Sequence, residues 1–228
     1  MHFFSSSIGK KIVMAVTGVS MAMFACIHLI GNSTIFGWLN GGVNAYAHHL
    51  HALPLPIIIG FRSVLGLLLA IHVWYGIKLT LENNGGRPQQ YAVKATKKTT
   101  ISSENMIWTG VILLGFLIYH LLHFTLQTIS PETAALTHLT NVHGTDMPDV
   151  FSMMSAAFKN VAILAIYGVG MVALFLHLSH GIQSFFQTMG WNNGKTLCLI
   201  TKASTLVALG LLFGYMSIPM LLFANILK

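Results

Sequence analysis

Between Phe158 and Gln187 the chain reads FKNVAILAIYGVGMVALFLHLSHGIQSFFQ, with one lysine, no carboxylate and two histidines, His177 and His180. A hydrocarbon core of roughly 30 Å needs about 20 helical residues to cross it, so this stretch is long enough to span and to tilt or project beyond the bilayer. Four further stretches have the same character, near Lys11–Asn32, Ile57–Leu81, Asn105–Ile129 and Leu197–Leu227. The spacing therefore predicts an all-α membrane protein, a single domain of five transmembrane helices over residues 1–228.

Composition agrees. Of 228 residues, 54% are hydrophobic and only 7% are charged, against about 25% charged in a typical soluble domain. So little polar surface excludes a water-soluble fold and leaves lipid as the main solvent. The segments between the spans carry turn chemistry. Gly37–Pro56 includes Gly41-Gly42 and two prolines, Glu82–Glu104 includes Asn83-Asn84-Gly85-Gly86-Arg87-Pro88, Ser130–Ala157 includes Pro131 and Pro148, and Gly190–Gly194 is a Gly/Asn turn. Met1–Gly9 shows no cleavable-signal pattern, so the first span is expected to stay in the mature chain.

The formal charge of +7 does not point to nucleic acid, because the cations form no aromatic-interleaved patch and cluster at span ends. With the N-terminus inside, Lys10, Lys11, Lys78, Arg87, Lys94, Lys97, Lys98, Lys195 and Lys202 fall on the inner face, and Arg62, Lys159 and Lys228 toward the outer one. That bias puts the N-terminus in the cytoplasm. Cys26 and Cys198 both lie in apolar stretches and belong to no C-x-x-C-H run, so neither a disulfide framework nor covalent haem attachment is expected.

Six of the twelve histidines fall inside the spans: His28, His72, His120, His123, His177 and His180. Ionisable groups at membrane depth are rare and mark function. Two internal echoes select four. Thr17-Gly18-Val19 precedes His28, and Thr109-Gly110-Val111 precedes His120, each histidine standing ten residues after the glycine. His72 and His177 each open a His-x-x-x-Gly-Ile run, ending at Gly76-Ile77 and Gly181-Ile182. His123 and His180 stand one turn away as alternatives.

Depth pairs the four. At 1.5 Å per residue His28 lies roughly 27 Å above Lys10, and His120 roughly 23 Å above Asn105, both toward the outer face. His72 and His177 each lie roughly 14 Å above the inner end of their spans, about 10 Å from the outer level. Two neutral imidazoles from different helices at one level are what a bis-histidine b haem requires. Two haems are therefore expected. Gly18 and Gly110, about 15 Å below their histidines, fall at the inner level and would make room for a ring; close helix packing is the other reading of these glycines. Lys10, Lys11, Lys78 and Lys195 are candidates for inner propionates or plain interface markers, and Arg62 for outer propionates. His48, His49 and His51, crowded before Leu53-Pro54, could hydrogen-bond a quinone and relay its protons.

Cys26-Ile27-His28-Leu29-Ile30-Gly31-Asn32, Ala47-His48 with Leu53-Pro54, His72-x-x-x-Gly76, Tyr119-His120, and Phe175-Leu176-His177-Leu178-Ser179-x-Gly181-x-x-Ser184-Phe185 occur in that order. Together they resemble the cytochrome b membrane anchor of succinate dehydrogenases and fumarate reductases, in its single-chain, five-helix, di-haem form, over nearly the whole chain. The resemblance implies His28 and His120 as ligands of the outer haem b and His72 and His177 as ligands of the inner one. It further implies flavoprotein and iron–sulfur subunits on the cytoplasmic side of a bacterial inner membrane, a quinone (usually menaquinone) near the outer haem, and a possible dimer of the heterotrimer. No dicarboxylate site is expected in this chain. Some fumarate reductases of this type use buried glutamates for quinol chemistry and proton movement; the five stretches above hold none.

Overall fold

A computed structural model describes residues 3–85, 105–136, 139–142 and 145–227. Eight α-helices are seen among them: α1 Ser7–Asn32, α2 Gly42–His51, α3 Leu55–Gly85, α4 Met106–His120, α5 Pro131–Ala134, α6 Val150–Phe158, α7 Val161–Thr188 and α8 Leu197–Phe223. A 3-10 turn, Ser33–Phe36, extends α1, and a π turn, Leu121–Thr125, extends α4. Strands β1 Leu139–Val142 and β2 Thr145–Pro148 pair antiparallel with Leu139 opposite Pro148.

Five helices are long and apolar enough to cross a membrane: Ser7–Phe36, Leu55–Asn83, Met106–Thr125, Val161–Thr188 and Leu197–Phe223. Helix is the form expected there, because hydrocarbon offers the backbone no hydrogen-bond partner. Large apolar side chains project outward from them, with Trp74 65%, Trp108 66% and Phe213 68% exposed. Such surfaces suit lipid and not water.

The bounds differ from the sequence expectation in instructive ways. Helix α1 begins four residues before Lys11. The stretch beginning at Phe158 is divided, because α6 stops at Phe158 and Asn160 Oδ1 accepts the Ala162 N–H (2.9 Å) to start α7 afresh. Helix α3 runs past Leu81 and takes in Glu82, so one carboxylate does lie in a spanning helix. Its oxygen accepts from Lys10 Nζ at 2.5 Å. Lys10 is buried, which makes it the partner of Glu82 and not a free interface cation. Arg87, Lys94, Lys97, Lys98 and Lys228, on which much of the orientation rests, lie outside the described residues.

The segment 37–56 is not plain loop. Left-handed Gly37, Gly41 and Gly42 (φ 84°, 83° and 60°) turn the chain, and α2 follows. Tyr46 of α2 lies across Gly31, where any side chain would collide with the ring. Burial pushes the Tyr46 phenol above its ordinary range.

The chain divides into two compact units, each built from slices of several helices. One comprises Met1–Phe24, Gly60–Val111 and Leu174–Leu209; the other Ala25–Ile59, Ile112–Ala173 and Gly210–Lys228. The second has an apolar core of Ile35, Val43, Met153, Met154, Phe158, Tyr167, Ile218 and Leu222. There α2 and α6 are tied by polar contacts. Asp149 caps α6 by accepting from the Ser152 N–H (3.0 Å) and Oγ (2.7 Å), and also accepts from Asn44 Nδ2 (3.2 Å). Asn44 Oδ1 in turn accepts the Phe151 N–H at 2.8 Å.

Asp149→Ala removes the cap and one side of this tie, so it should lower stability by about 1–2 kcal/mol. Asp149→Asn should cost less. Thermal unfolding in detergent measures both, and equal midpoints for Asp149→Ala and wild type would show that the tie contributes nothing.

Candidate metal and cofactor centres

Each unit holds one pair of histidines. In the first unit His72 of α3 and His177 of α7 have ring centroids 6.2 Å apart and planes at 68°. In the second, His28 of α1 and His120 of α4 have centroids 6.0 Å apart and planes at 80°. These are the pairs that depth along the spans predicts.

Metal–imidazole bonds of about 2.0 Å put the centroids of two trans imidazoles on one metal roughly 6 Å apart. Both pairs have that separation. Among the described residues no group of three or more His, Cys, Asp or Glu converges. Each pair therefore brings one imidazole from each of two helices, and a metal held there would have to bring its remaining ligands with it. A tetrahedral zinc site would need more from the chain; a porphyrin supplies four equatorial nitrogens of its own. The residues fit a haem at each pair.

Around the first pair the Thr-Gly echo acquires a geometry. Thr17 Oγ1 lies 3.3 Å from His72 Nδ1, and Thr109 Oγ1 lies 3.1 Å from His177 Nδ1. The Met14 carbonyl is also 3.1 Å from His72 Nδ1, and the Met106 backbone hydrogen-bonds His177. A Cβ on Gly18 would stand 3.0 Å from His72 Cε1, and one on Gly110 3.4 Å from His177 Cε1. The space these glycines provide is thus filled by the imidazoles themselves. Gly76 and Gly181 face open space, with nothing within 4 Å of an added Cβ.

The second pair has different company. Tyr167 Oη is 3.1 Å from His120 Nδ1 and 3.2 Å from His123 Nδ1. The π turn produces this arrangement: Leu126 N–H reaches back to Leu121 O (2.7 Å), and the wider turn carries His123 round to the same phenol. Phe116 stacks on His120 (6.0 Å, 27°) and Phe124 on His123 (4.1 Å, 27°). His28 meets the Tyr215 ring at 6.2 Å, and Tyr215 Oη donates to the Ala25 carbonyl at 2.7 Å. His123 is 2% exposed, and its Nε2 has no hydrogen-bond partner among the described residues. His123 is thus placed against Tyr167, outside the His28–His120 pair. Among the described residues His180 makes no hydrogen bond or ring contact.

The remaining candidates lie apart from these pairs. Arg62 is exposed, takes part in no hydrogen bond or ion pair among the described residues, and falls in the unit of His72 and His177, not in the unit of His28 and His120. His48 is half-buried in α2, its ring 6.0 Å from that of His49, in the unit of His28 and His120. His51 Nδ1 donates to the Ala47 carbonyl at 2.9 Å and so caps its own helix end. Sequence reasoning missed Thr17, Thr109 and Tyr167 as neighbours of the histidines. The threonines stood in the echo, where the glycines drew the inference; Tyr167 carries no periodic mark.

Comparison with protein-family models, with curated proteins and with solved structures finds no match to this chain.

Tyr167→Phe leaves two ring nitrogens without their shared partner. It should lower stability by about 1–3 kcal/mol, read from thermal unfolding in detergent. An unchanged midpoint would show that neither histidine depends on the phenol.

Proposed function

We propose that the chain is the membrane anchor and electron-transfer subunit of a succinate:quinone or quinol:fumarate oxidoreductase, passing electrons between an iron–sulfur subunit and a membrane quinone through two bis-histidine b haems. The observation that carries the reading is the doubling of one arrangement. Two pairs of imidazoles, each from two different spanning helices, stand at the separation that two imidazoles on one metal need, and among the described residues neither pair has a third His, Cys, Asp or Glu converging on it. The choice of this enzyme class among quinone-linked oxidoreductases rests on the ordered motifs around His28, His72, His120 and His177.

On this reading His72 and His177 hold one haem, and His28 and His120 the other. Bound there, haem iron supplies a one-electron couple. The chain's own residues do the rest. The four imidazoles must be neutral to present a lone pair, and a surrounding of apolar side chains and lipid favours the neutral form. Phe116 stacked on His120 fixes one ring plane. Tyr167 restricts another degree of freedom by bonding the far nitrogen of the same ring. The quinone, menaquinone by the resemblance, is assigned to the neighbourhood of the outer pair, with His48 as a hydrogen-bonding candidate. The flavoprotein and iron–sulfur subunits are assigned to the cytoplasmic side of a bacterial inner membrane, where the N-terminus is also put. A di-haem anchor of another quinone-linked enzyme has the same two pairs and differs in its subunits. A histidine-lined transporter is disfavoured, because a transport path is not expected to end in isolated two-imidazole pairs.

Gentle purification from the native membrane should yield two b haems per chain together with a flavoprotein and an iron–sulfur protein. His72→Ala or His177→Ala should remove one haem from the reduced-minus-oxidised spectrum, and His28→Ala or His120→Ala the other. A folded preparation without haem would remove the proposal; haem with different co-purifying subunits would redirect it to another enzyme.

A further inference from the structure

The two threonines that face the first histidine pair have their own protons committed. Thr17 Oγ1 donates to the carbonyls of Val13 (2.9 Å) and Met14 (3.0 Å), and Thr109 Oγ1 to those of Asn105 (3.1 Å) and Met106 (3.1 Å). This back-bonding is the usual habit of threonine in a helix. A hydroxyl has one proton and two lone pairs. With the proton turned to its own helix, each oxygen can only accept from the imidazole across the helix interface. Met14 O at 3.1 Å from His72 Nδ1 is an acceptor by nature and requires the same.

These acceptors suit the tautomer in which Nδ1 carries the hydrogen and Nε2 keeps its lone pair. Both threonines are 4% exposed, so water does not compete for these bonds. The next residue completes a socket. Gly18 and Gly110 lack the Cβ that would press on Cε1 at 3.0 and 3.4 Å, so the ring can approach the helix closely enough to reach the hydroxyl. Thr17-Gly18 on α1 receives His72 of α3, and Thr109-Gly110 on α4 receives His177 of α7. His120 Nδ1 faces a phenol that it shares with His123.

We infer that Thr17 and Thr109 are positioning residues that hold His72 and His177 in the Nδ1–H form and, by accepting from that hydrogen, strengthen Nε2 as a donor to iron. The inference rests on the haem reading above and adds which of the two centres is tuned and by what. A stronger axial donor favours ferric over ferrous iron, so the bonds lower the potential of the centre at His72 and His177 and leave the other unaffected.

The test is a redox titration of both haems in the intact complex, comparing wild type with Thr17→Val, Thr109→Val and the matching serine variants. Valine keeps the shape and removes the acceptor; serine keeps the oxygen. Outer-shell partners of metal ligands typically matter tenfold or more. Each valine variant should retain two haems and raise the ferrous-to-ferric ratio of one haem about tenfold at fixed potential, an upward shift of about 59 mV for a one-electron couple. Serine variants should match wild type, and the second haem should not move. Two haems with unmoved potentials in the valine variants would overturn the inference and leave the haem reading intact. If valine loses the first haem while serine keeps it, the oxygen is required and the inference stands. If serine loses it too, side-chain shape and not the acceptor is what matters, and the inference falls. Absence of haem from the wild-type complex would instead remove the reading beneath it.

Discussion

An imidazole inside a bilayer has two nitrogens, and leaving either without a partner in the protein or a bound group costs free energy. The arrangement around the spans follows from meeting that demand. At His72 and His177 one nitrogen is met by a threonine oxygen and a backbone group. At His120 it is met by the Tyr167 phenol. The same rings stand beside a second histidine, His72 by His177 and His28 by His120, with centroids 6.2 and 6.0 Å apart.

The same demand explains which other polar groups the spans tolerate. Thr17, Thr109 and Ser204 are buried with their hydroxyls bonded to carbonyls of their own helices. Lys10 is buried against Glu82 at helix ends, where two charges neutralise each other. Pairing at the end of a helix is a different matter from a carboxylate at mid-span, and Glu82 is engaged by its lysine. It is a poor candidate for carrying a proton across the bilayer.

What the sequence made legible was everything that depends on position along one helix. Spans follow from apolar length, and the pairing of His28 with His120 and of His72 with His177 follows from counting residues at a fixed rise. What depends on contact between helices was not legible. Thr17 and His72 are 55 residues apart and Lys10 and Glu82 are 72 apart, and no periodicity joins them. Gly18 and Gly110 show the limit well. Counting put them at the right level, but not what fills the space, which is an imidazole. Helix α2 was hidden because Gly41-Gly42 and two prolines read as loop, whereas the glycines only turn the chain into a helix that packs on α6. The π turn after His120 was hidden for a related reason: a one-residue widening leaves no mark in an apolar run.

The two pairs differ in the kind of partner that steadies them, and the difference bears on how each would work in the proposed anchor. Thr17 and Thr109 have no free proton to offer, and a carbonyl has none at all. An iron held by His72 and His177 would change its charge among fixed dipoles, which suits electron transfer without proton movement. Tyr167 is otherwise. Its single proton lies between two histidine nitrogens, and if His120 keeps its hydrogen on Nδ1 so that Nε2 can ligate, the phenol must give its own to His123 Nδ1. The His123 proton is then forced onto Nε2, the buried atom that has no partner among the described residues. Donors and acceptors thus alternate through His120, Tyr167 and His123, in the unit that holds His28 and His120. Quinone reduction needs protons as well as electrons, and in the proposed anchor this hydrogen-bonded trio of His120, Tyr167 and His123 would stand beside the pair near which the quinone binds.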